Sequence, residues 1–64
     1  MVDEKLKFAL EMRGMTQKEL ANKAGLTEVS ICRYVNGDRA PNAKTIIKIC
    51  KALNISADWL LGLM

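Results

Sequence analysis

The chain has 64 residues and a formal net charge of +3, and half of its residues are apolar, with only three aromatic side chains. This length suffices for one domain with a small core and excludes a second, separately folded unit. We therefore expect one domain over residues 1–64, with a core of Leu, Ile, Val, Met and Ala that favours a helical bundle. The positive charge is compatible with a nucleic-acid partner and does not require one.

Several classes of protein are disfavoured by what the sequence lacks. No apolar run approaches the ~20 residues of a membrane span, and no leader pattern is present, so we expect a cytoplasmic protein without a membrane partner. With no histidine and no nucleophile beside a base, we expect no catalytic site, no enzyme activity and no cofactor. The sequence also lacks paired-cysteine spacing, which disfavours a metal site. Cys32 and Cys50 are expected to be free thiols, the first exposed and the second in the core.

The first predicted helix covers residues 3–13. Leu6, Ala9 and Leu10 recur at helical spacing, with Met12 beside them as a further candidate for the buried stripe. Gly14 is expected to end this helix.

Two short helices are predicted next, at 17–24 and 28–35. Thr16 and Glu19 have the spacing of a capping box, and Thr27 is positioned to cap the second helix. Between them, Gly25 can adopt the positive φ of a helix C-terminus, which a residue with a Cβ resists. We predict that Ala21 lies where the two helices cross. The expected inward-facing residues are Leu20, Ala24, Leu26, Ile31 and Tyr34, and the expected outward-facing ones are Glu28, Val29, Cys32, Arg33 and Asn36.

The remaining chain predicts a loop and two more helices. Residues 36–41 are rich in turn formers, and Asn42 can cap a helix over 43–53. We expect that helix to bury Ile46, Ile49, Cys50 and Leu53, with Ile47 beside them, and to carry Lys44, Lys48 and Lys51 on its opposite face. A last helix is predicted over 57–62, with Ser56 as its cap. Trp59 is expected to be a core residue, not a site residue, and to cover the apolar stripe of the first and fourth helices.

The segment 16–37, TQKELANKAGLTEVSICRYVNG, resembles the helix-turn-helix of the phage repressor and Cro family, also called lambda-repressor-like regulators. The resemblance continues to the segment 55–61, ISADWLL, and spans about residues 6–61. It implies an all-α, five-helix domain with its helix-turn-helix at the second and third helices. It also implies sequence-specific binding to double-stranded DNA by a bacterial or phage transcriptional regulator, most plausibly a repressor.

In that family the second motif helix lies in the major groove and presents its N-terminal residues to base edges. The resemblance thus assigns base contacts to Thr27, Glu28, Val29 and Arg33. Glu28 can accept from cytosine, Val29 can pack on a thymine methyl, and Arg33 can bind guanine or hold a phosphate. The alternatives are a helix-dipole role for Glu28 and a solvated charge for Arg33. Glu28 also departs from the uncharged polar residue common at this place in the family.

Phosphate contacts are expected on either side of that helix, since such contacts fix its register on the duplex. The resemblance assigns them to Gln17, Asn36, Arg39 and Lys44. Lys48 and Lys51 lie further from the expected groove, and we interpret them as solvated charges.

The resemblance also implies a two-fold symmetric DNA operator as the partner, bound by a homodimer. Leu61, Leu63 and Met64 are hard to bury in so small a protein, so they form either part of a dimer interface or the edge of a longer regulator. Two other functions remain open. One is a protein-interaction module, such as an antitoxin or adaptor with the same fold, and the other is a small RNA-binding regulator. A protein-binding surface would favour contiguous exposed apolar groups on residues 27–36.

Overall fold

The computed structural model describes residues 2–63, and these fold into five α-helices with no strand among them. The helices are α1 (Val2–Arg13), α2 (Gln17–Ala24), α3 (Glu28–Val35), α4 (Ala43–Leu53) and α5 (Ala57–Leu61). The predicted all-α, five-helix fold is confirmed. The predicted bounds of α2, α3 and α4 are matched, α1 begins one residue earlier than predicted, and α5 ends one residue earlier, at Leu61. Met64, which we placed in the apolar end, lies outside the described residues.

One apolar core holds the helices together. Helix α1 packs on α3, α4 and α5, and α2 packs on α3 and α4. The side chains most completely removed from solvent come from every helix, so each contributes to the same core. They are Leu6, Leu20, Ile31, Ile49, Leu53 and Leu60.

One prediction about the core is wrong. Met12 is 66% exposed, because it lies about 120° around α1 from Leu6, outside the buried stripe. Leu26, in the turn after α2, and Trp59 are half-buried and pack against the core from its edge. Leu26 thus faces inward and Trp59 covers the core, as predicted. Val35, which we did not predict, is buried one turn after Ile31.

Two cations of α1 bind carbonyl groups at the C-terminal ends of other helices. Lys5 Nζ donates to the carbonyl oxygen of Trp59 at 2.8 Å, and Arg13 Nε donates to that of Leu53 at 2.8 Å. Arg13 Nη2 also donates to the carbonyl oxygen of Asn54 at 3.0 Å. The last carbonyls of a helix have no partner within it, so these bonds stabilise the ends of α4 and α5. We call Lys5 and Arg13 with these three carbonyls the α1 clamp.

Aromatic contacts accompany the clamp. The ammonium of Lys5 lies 5.3 Å from the centroid of the Trp59 ring. The centroids of the Phe8 and Trp59 rings are 6.1 Å apart, and the two ring planes make an angle of 42°. Both geometries are attractive. Trp59 therefore fixes α5 to α1 and does not fill the centre of the core. Within residues 2–63, no helix has the length and apolar character to cross a membrane.

Candidate nucleic-acid interface

A complete capping box starts α2. The backbone N–H of Glu19 donates to Thr16 Oγ1 at 3.1 Å, and the N–H of Thr16 donates to Glu19 Oε1 at 3.0 Å. The backbone hydrogen bond from Thr16 lowers the pKa of the Glu19 carboxyl, with smaller contributions from the Thr16 side chain and the charge of Lys23. These bonds use two N–H groups that the helix itself leaves unpaired. The first residue of α2, Gln17, thereby has a defined position.

The turn between α2 and α3 depends on Gly25. Its φ of 69° lies in the left-handed region, and the next amide, that of Leu26, donates to the carbonyl of Ala21 at 2.9 Å. A side chain with a Cβ is strained in this conformation, so glycine is the residue that permits it. Ala21 and Ala24 are both buried in α2. The turn thus takes three residues, 25–27, before α3 begins at Glu28.

Thr27 is committed to the start of α3. Its Oγ1 accepts from the backbone N–H of Ser30 at 3.1 Å and donates to Ser30 Oγ at 2.9 Å. The hydroxyl proton and one lone pair are therefore used within the helix cap. A free lone pair and the methyl group remain for a base, so the predicted base contact of Thr27 stays a prediction. Ser30, which the sequence reading did not single out, is the positioning partner of Thr27.

Helix α3 separates a buried face from an exposed one. Ile31, Tyr34 and Val35 face the core. The predicted base-contacting residues Glu28, Val29 and Arg33 are all exposed, as are Cys32 and Asn36. Eight residues of α-helix extend about 12 Å, comparable with the width of the major groove. The exposed part of α3 thus includes an acid, an apolar side chain and a guanidinium.

The predicted phosphate-contacting residues lie at helix ends and in one loop. Gln17 is the half-buried first residue of α2, Arg39 is exposed in the loop after α3, and Lys44 is exposed in the first turn of α4. Asn36 ends α3, and its Nδ2 donates to Cys32 Sγ at 3.4 Å. Asn36, Arg39 and Lys44 therefore come after α3 in the sequence, and Gln17 comes before it.

An acid that the sequence reading missed lies beside this loop. A Cβ added to Gly37 would lie 2.9 Å from Asp3 Oδ2, so the first turn of α1 meets the backbone of the loop. Asp3 and Arg39 also line one hollow of about 170 Å³, together with Tyr34 and Pro41. Asp3 and Gly37 are 34 positions apart in the sequence, which explains why no local pattern indicated this contact.

The two cysteines have the environments that we predicted. Cys32 is exposed on α3, and Cys50 is buried in the apolar stripe of α4. Burial raises the pKa of the Cys50 thiol. Among residues 2–63, no group of three or more His, Cys, Asp or Glu side chains is arranged to hold a metal ion.

The sequence model of the helix-turn-helix family matches residues 6–60, which is most of the chain. The chain therefore belongs to this family, and the resemblance to repressor-type helix-turn-helix proteins is confirmed.

Individual relatives agree with the family assignment. The chain is 38% identical over 61 residues to YqaE of Bacillus subtilis, named as an uncharacterized HTH-type transcriptional regulator, covering 95% of this chain and 53% of that protein. It is 36% identical to ImmR of Bacillus subtilis, another HTH-type transcriptional regulator, covering 92% of this chain and 46% of the relative. The chain thus spans about half the length of these two relatives.

A solved structure has the same fold. It is the crystal structure of the P22 c2 repressor in complex with a synthetic operator, which matches with a TM-score of 0.87. The match covers 94% of this chain and 91% of that one at 23% sequence identity. Similarity at this level of identity establishes the shared architecture.

Proposed function

We propose that this chain binds double-stranded DNA sequence-specifically and acts as a transcriptional regulator, most plausibly a repressor in a bacterium or phage. The main supporting observation is the exposed face of α3, which carries Glu28, Val29 and Arg33 outside the buried residues of that helix. Its relatives YqaE and ImmR are named as transcriptional regulators, and the P22 c2 repressor was crystallised with an operator. Both facts support the proposal.

In this proposal α3 enters the major groove. Thr27, Glu28, Val29 and Arg33 contact bases, with Glu28 on a cytosine amine and Arg33 on guanine O6 and N7. Gln17, Asn36, Arg39 and Lys44 contact phosphates on either side. The N-terminus of α2 suits an anion, because its free N–H groups and helix dipole are positive there.

The rival function, a protein-interaction module, has less support from this surface. Val29 is the one large apolar side chain of α3 with more than half of its surface exposed, at 63%, and it lies between charged and polar neighbours. A protein-binding face has a more apolar centre and fewer charged residues there.

Binding of duplexes selected from a random pool tests the proposal. The selected sequences should share a motif, and their affinity should fall steeply with salt, since each cationic contact releases counterions. Lys44→Ala and Arg39→Ala should weaken specific and random duplexes about equally and reduce the salt slope by about one unit each. Lys7→Ala, on the exposed side of α1, is the control. Selection without a shared motif, or an unchanged slope in both variants, would contradict the assignment.

We further propose that the chain binds a two-fold operator as a homodimer. Reading such a site needs two α3 helices about 34 Å apart, or a multiple of that spacing, on one face of the duplex. Leu61 and Leu63 are 44% and 72% exposed at the end of α5, which supports an interface there. Sedimentation with a palindromic duplex should show two chains per site, weakened by Leu63→Ser. Strict one-to-one binding would refute the dimer.

A further inference from the structure

The positive charge of the chain is concentrated in its second half. Residues 39–57 contain Arg39, Lys44, Lys48 and Lys51 and no acid, which gives this segment a charge of +4. The other residues contain six cations and seven acids, a sum of −1. The net charge of +3 therefore originates in the loop after α3 and in α4.

The lysines of α4 form a row on its exposed side. Lys44, Lys48 and Lys51 are spaced by four and three residues, which places them within about 60° of one another around the helix. All three are exposed, while Ile46, Ile49, Cys50 and Leu53 face the core. Among residues 2–63, no hydrogen bond or ion pair involves any of the three ammonium groups. Like charges at this spacing repel each other, and an anion between them relieves that repulsion.

A fourth lysine joins the row at a hollow between α2 and α4. The hollow has a volume of about 390 Å³ and is lined by Lys23, Lys48 and Lys51, with Ala24 and Ala52 as its small apolar residues. Such small side chains leave room for a tetrahedral anion to approach three ammonium groups. Lys23 also lies near Glu19, so α4 supplies the two cations without an acidic neighbour.

We propose that Lys23, Lys48 and Lys51 bind backbone phosphates of duplex DNA outside the sequence that α3 reads. This inference rests on the proposed function and assigns these side chains a role other than solvated charge. The row starts at Lys44, in the first turn of α4, and reaches about 10 Å further along that helix. Only DNA that extends past the operator and curves toward the protein reaches Lys51, and duplexes bend in this way when cationic contacts offset the deformation.

Two duplexes distinguish these contacts from those of α3. Both contain the selected operator, and the longer one carries about one extra helical turn, roughly 10 base pairs, at each end. The wild type should bind the longer duplex more tightly. That advantage should fall about tenfold to fortyfold between about 50 and 200 mM salt, as expected for two or three further phosphate contacts.

The variant Lys48→Gln/Lys51→Gln should lose this advantage and bind the short duplex as the wild type does. Gln suits an exposed helix position, and circular dichroism checks that the fold is kept. Lys7→Gln, which removes one cation from the exposed side of α1, is the control for net charge. The quantity compared is the ratio of the affinities for the long and the short duplex. The proposal fails if the double variant keeps the wild-type ratio. It also fails if Lys7→Gln, which removes one charge instead of two, lowers the logarithm of that ratio by half as much as the double variant or more, because net charge alone would then explain the loss.

Chemical acetylation of the lysines distinguishes binding of DNA from binding of a small anion. The longer duplex should protect Lys48 and Lys51 from acetylation, and inorganic tripolyphosphate should not do so at matched phosphate concentration. Protection by tripolyphosphate alone would overturn the proposal in favour of a small-anion site. If no duplex is bound specifically, the proposed function fails as well. If short-duplex binding is intact and only the length dependence is absent, this inference alone fails.

Discussion

The helix-turn-helix and the α1 clamp are stabilised in opposite ways. In α2 and α3, the side-chain hydrogen bonds join residues three or four apart, as in Thr16 with Glu19 and Thr27 with Ser30. In the clamp, Lys5 and Arg13 reach carbonyls 54 and 40 residues away. Local bonds thus hold the start and end of α3 in position, whereas distant bonds attach the ends of α4 and α5 to α1. The surface proposed to read DNA is defined by the local set.

The largest expected effect comes from the core beneath that surface. Ile31 is 0% exposed, and Ile31→Ala should lower the free energy of unfolding by about 2–5 kcal/mol, because it removes buried methyl groups and leaves a cavity. Val29→Ala, on the exposed face of the same helix, should change it by less than about 0.5 kcal/mol. Urea denaturation measures both. Similar losses in the two variants would show that α3 does not have the two faces described.

The clamp should give the next largest effect. Arg13→Gln removes the two bonds to Leu53 and Asn54 and should lower the free energy of unfolding by about 1–2 kcal/mol, since charged donors make the stronger hydrogen bonds. Amide hydrogen exchange should accelerate most at the end of α4 and in α5. Lys7→Gln, with no such bonds, should leave exchange there unchanged. Equal acceleration in α2 would mean that the two regions are not separately stabilised.

The α3 cap should contribute somewhat less. Thr27→Ala loses the bond to the Ser30 amide and should lower the free energy of unfolding by about 1 kcal/mol. Thr27→Ser keeps the hydroxyl and should retain most of that stability. The pair also tests the base contact: if Thr27 acts only as a cap, Thr27→Ser should keep the parental base preference in a binding profile.

The capping box should give the smallest effect, one that depends on pH. Its hydrogen bonds with Thr16 lower the pKa of Glu19 in the folded state, so the ionised carboxylate stabilises the fold above the ordinary carboxyl pKa. That stabilisation should decline as the pH falls below the ordinary pKa and vanish below the lowered one. Glu19→Gln retains an acceptor oxygen without the charge. The wild type should therefore melt higher at pH 7, and the difference should disappear in acid. A constant difference would exclude the carboxylate charge as its cause.

The same division between local and distant contacts explains what the sequence could predict. Thr16, Gly25 and Thr27 act on neighbouring residues, so their types and spacing predicted the bounds of α2 and α3. The bonds of Lys5 and Arg13, and the approach of Asp3 to Gly37, join distant segments and have no local signature. The contacts of Trp59 with Lys5 and Phe8 of α1 also join distant segments, and they were not predicted.

The residues on the exposed face of α3 were predicted correctly. The fold does not determine which of them would contact a DNA base. Glu28 and Arg33 both lie on that face, but periodicity cannot tell a base contact from a solvated charge. Their individual roles follow from hydrogen-bonding chemistry with a partner and need a measurement on that partner.

A base-by-base binding profile of two variants tests the central claim most directly. Arg33→Ala should weaken binding to the preferred operator by ~1–3 kcal/mol and relax the preference at one position. Glu28→Gln should raise non-specific affinity, because a charge that phosphates repel is lost, and should shift the preference at a different position from cytosine toward adenine. Separate changes at two neighbouring positions would support α3 as the reader of the major groove. An unchanged base preference in both variants would contradict that account.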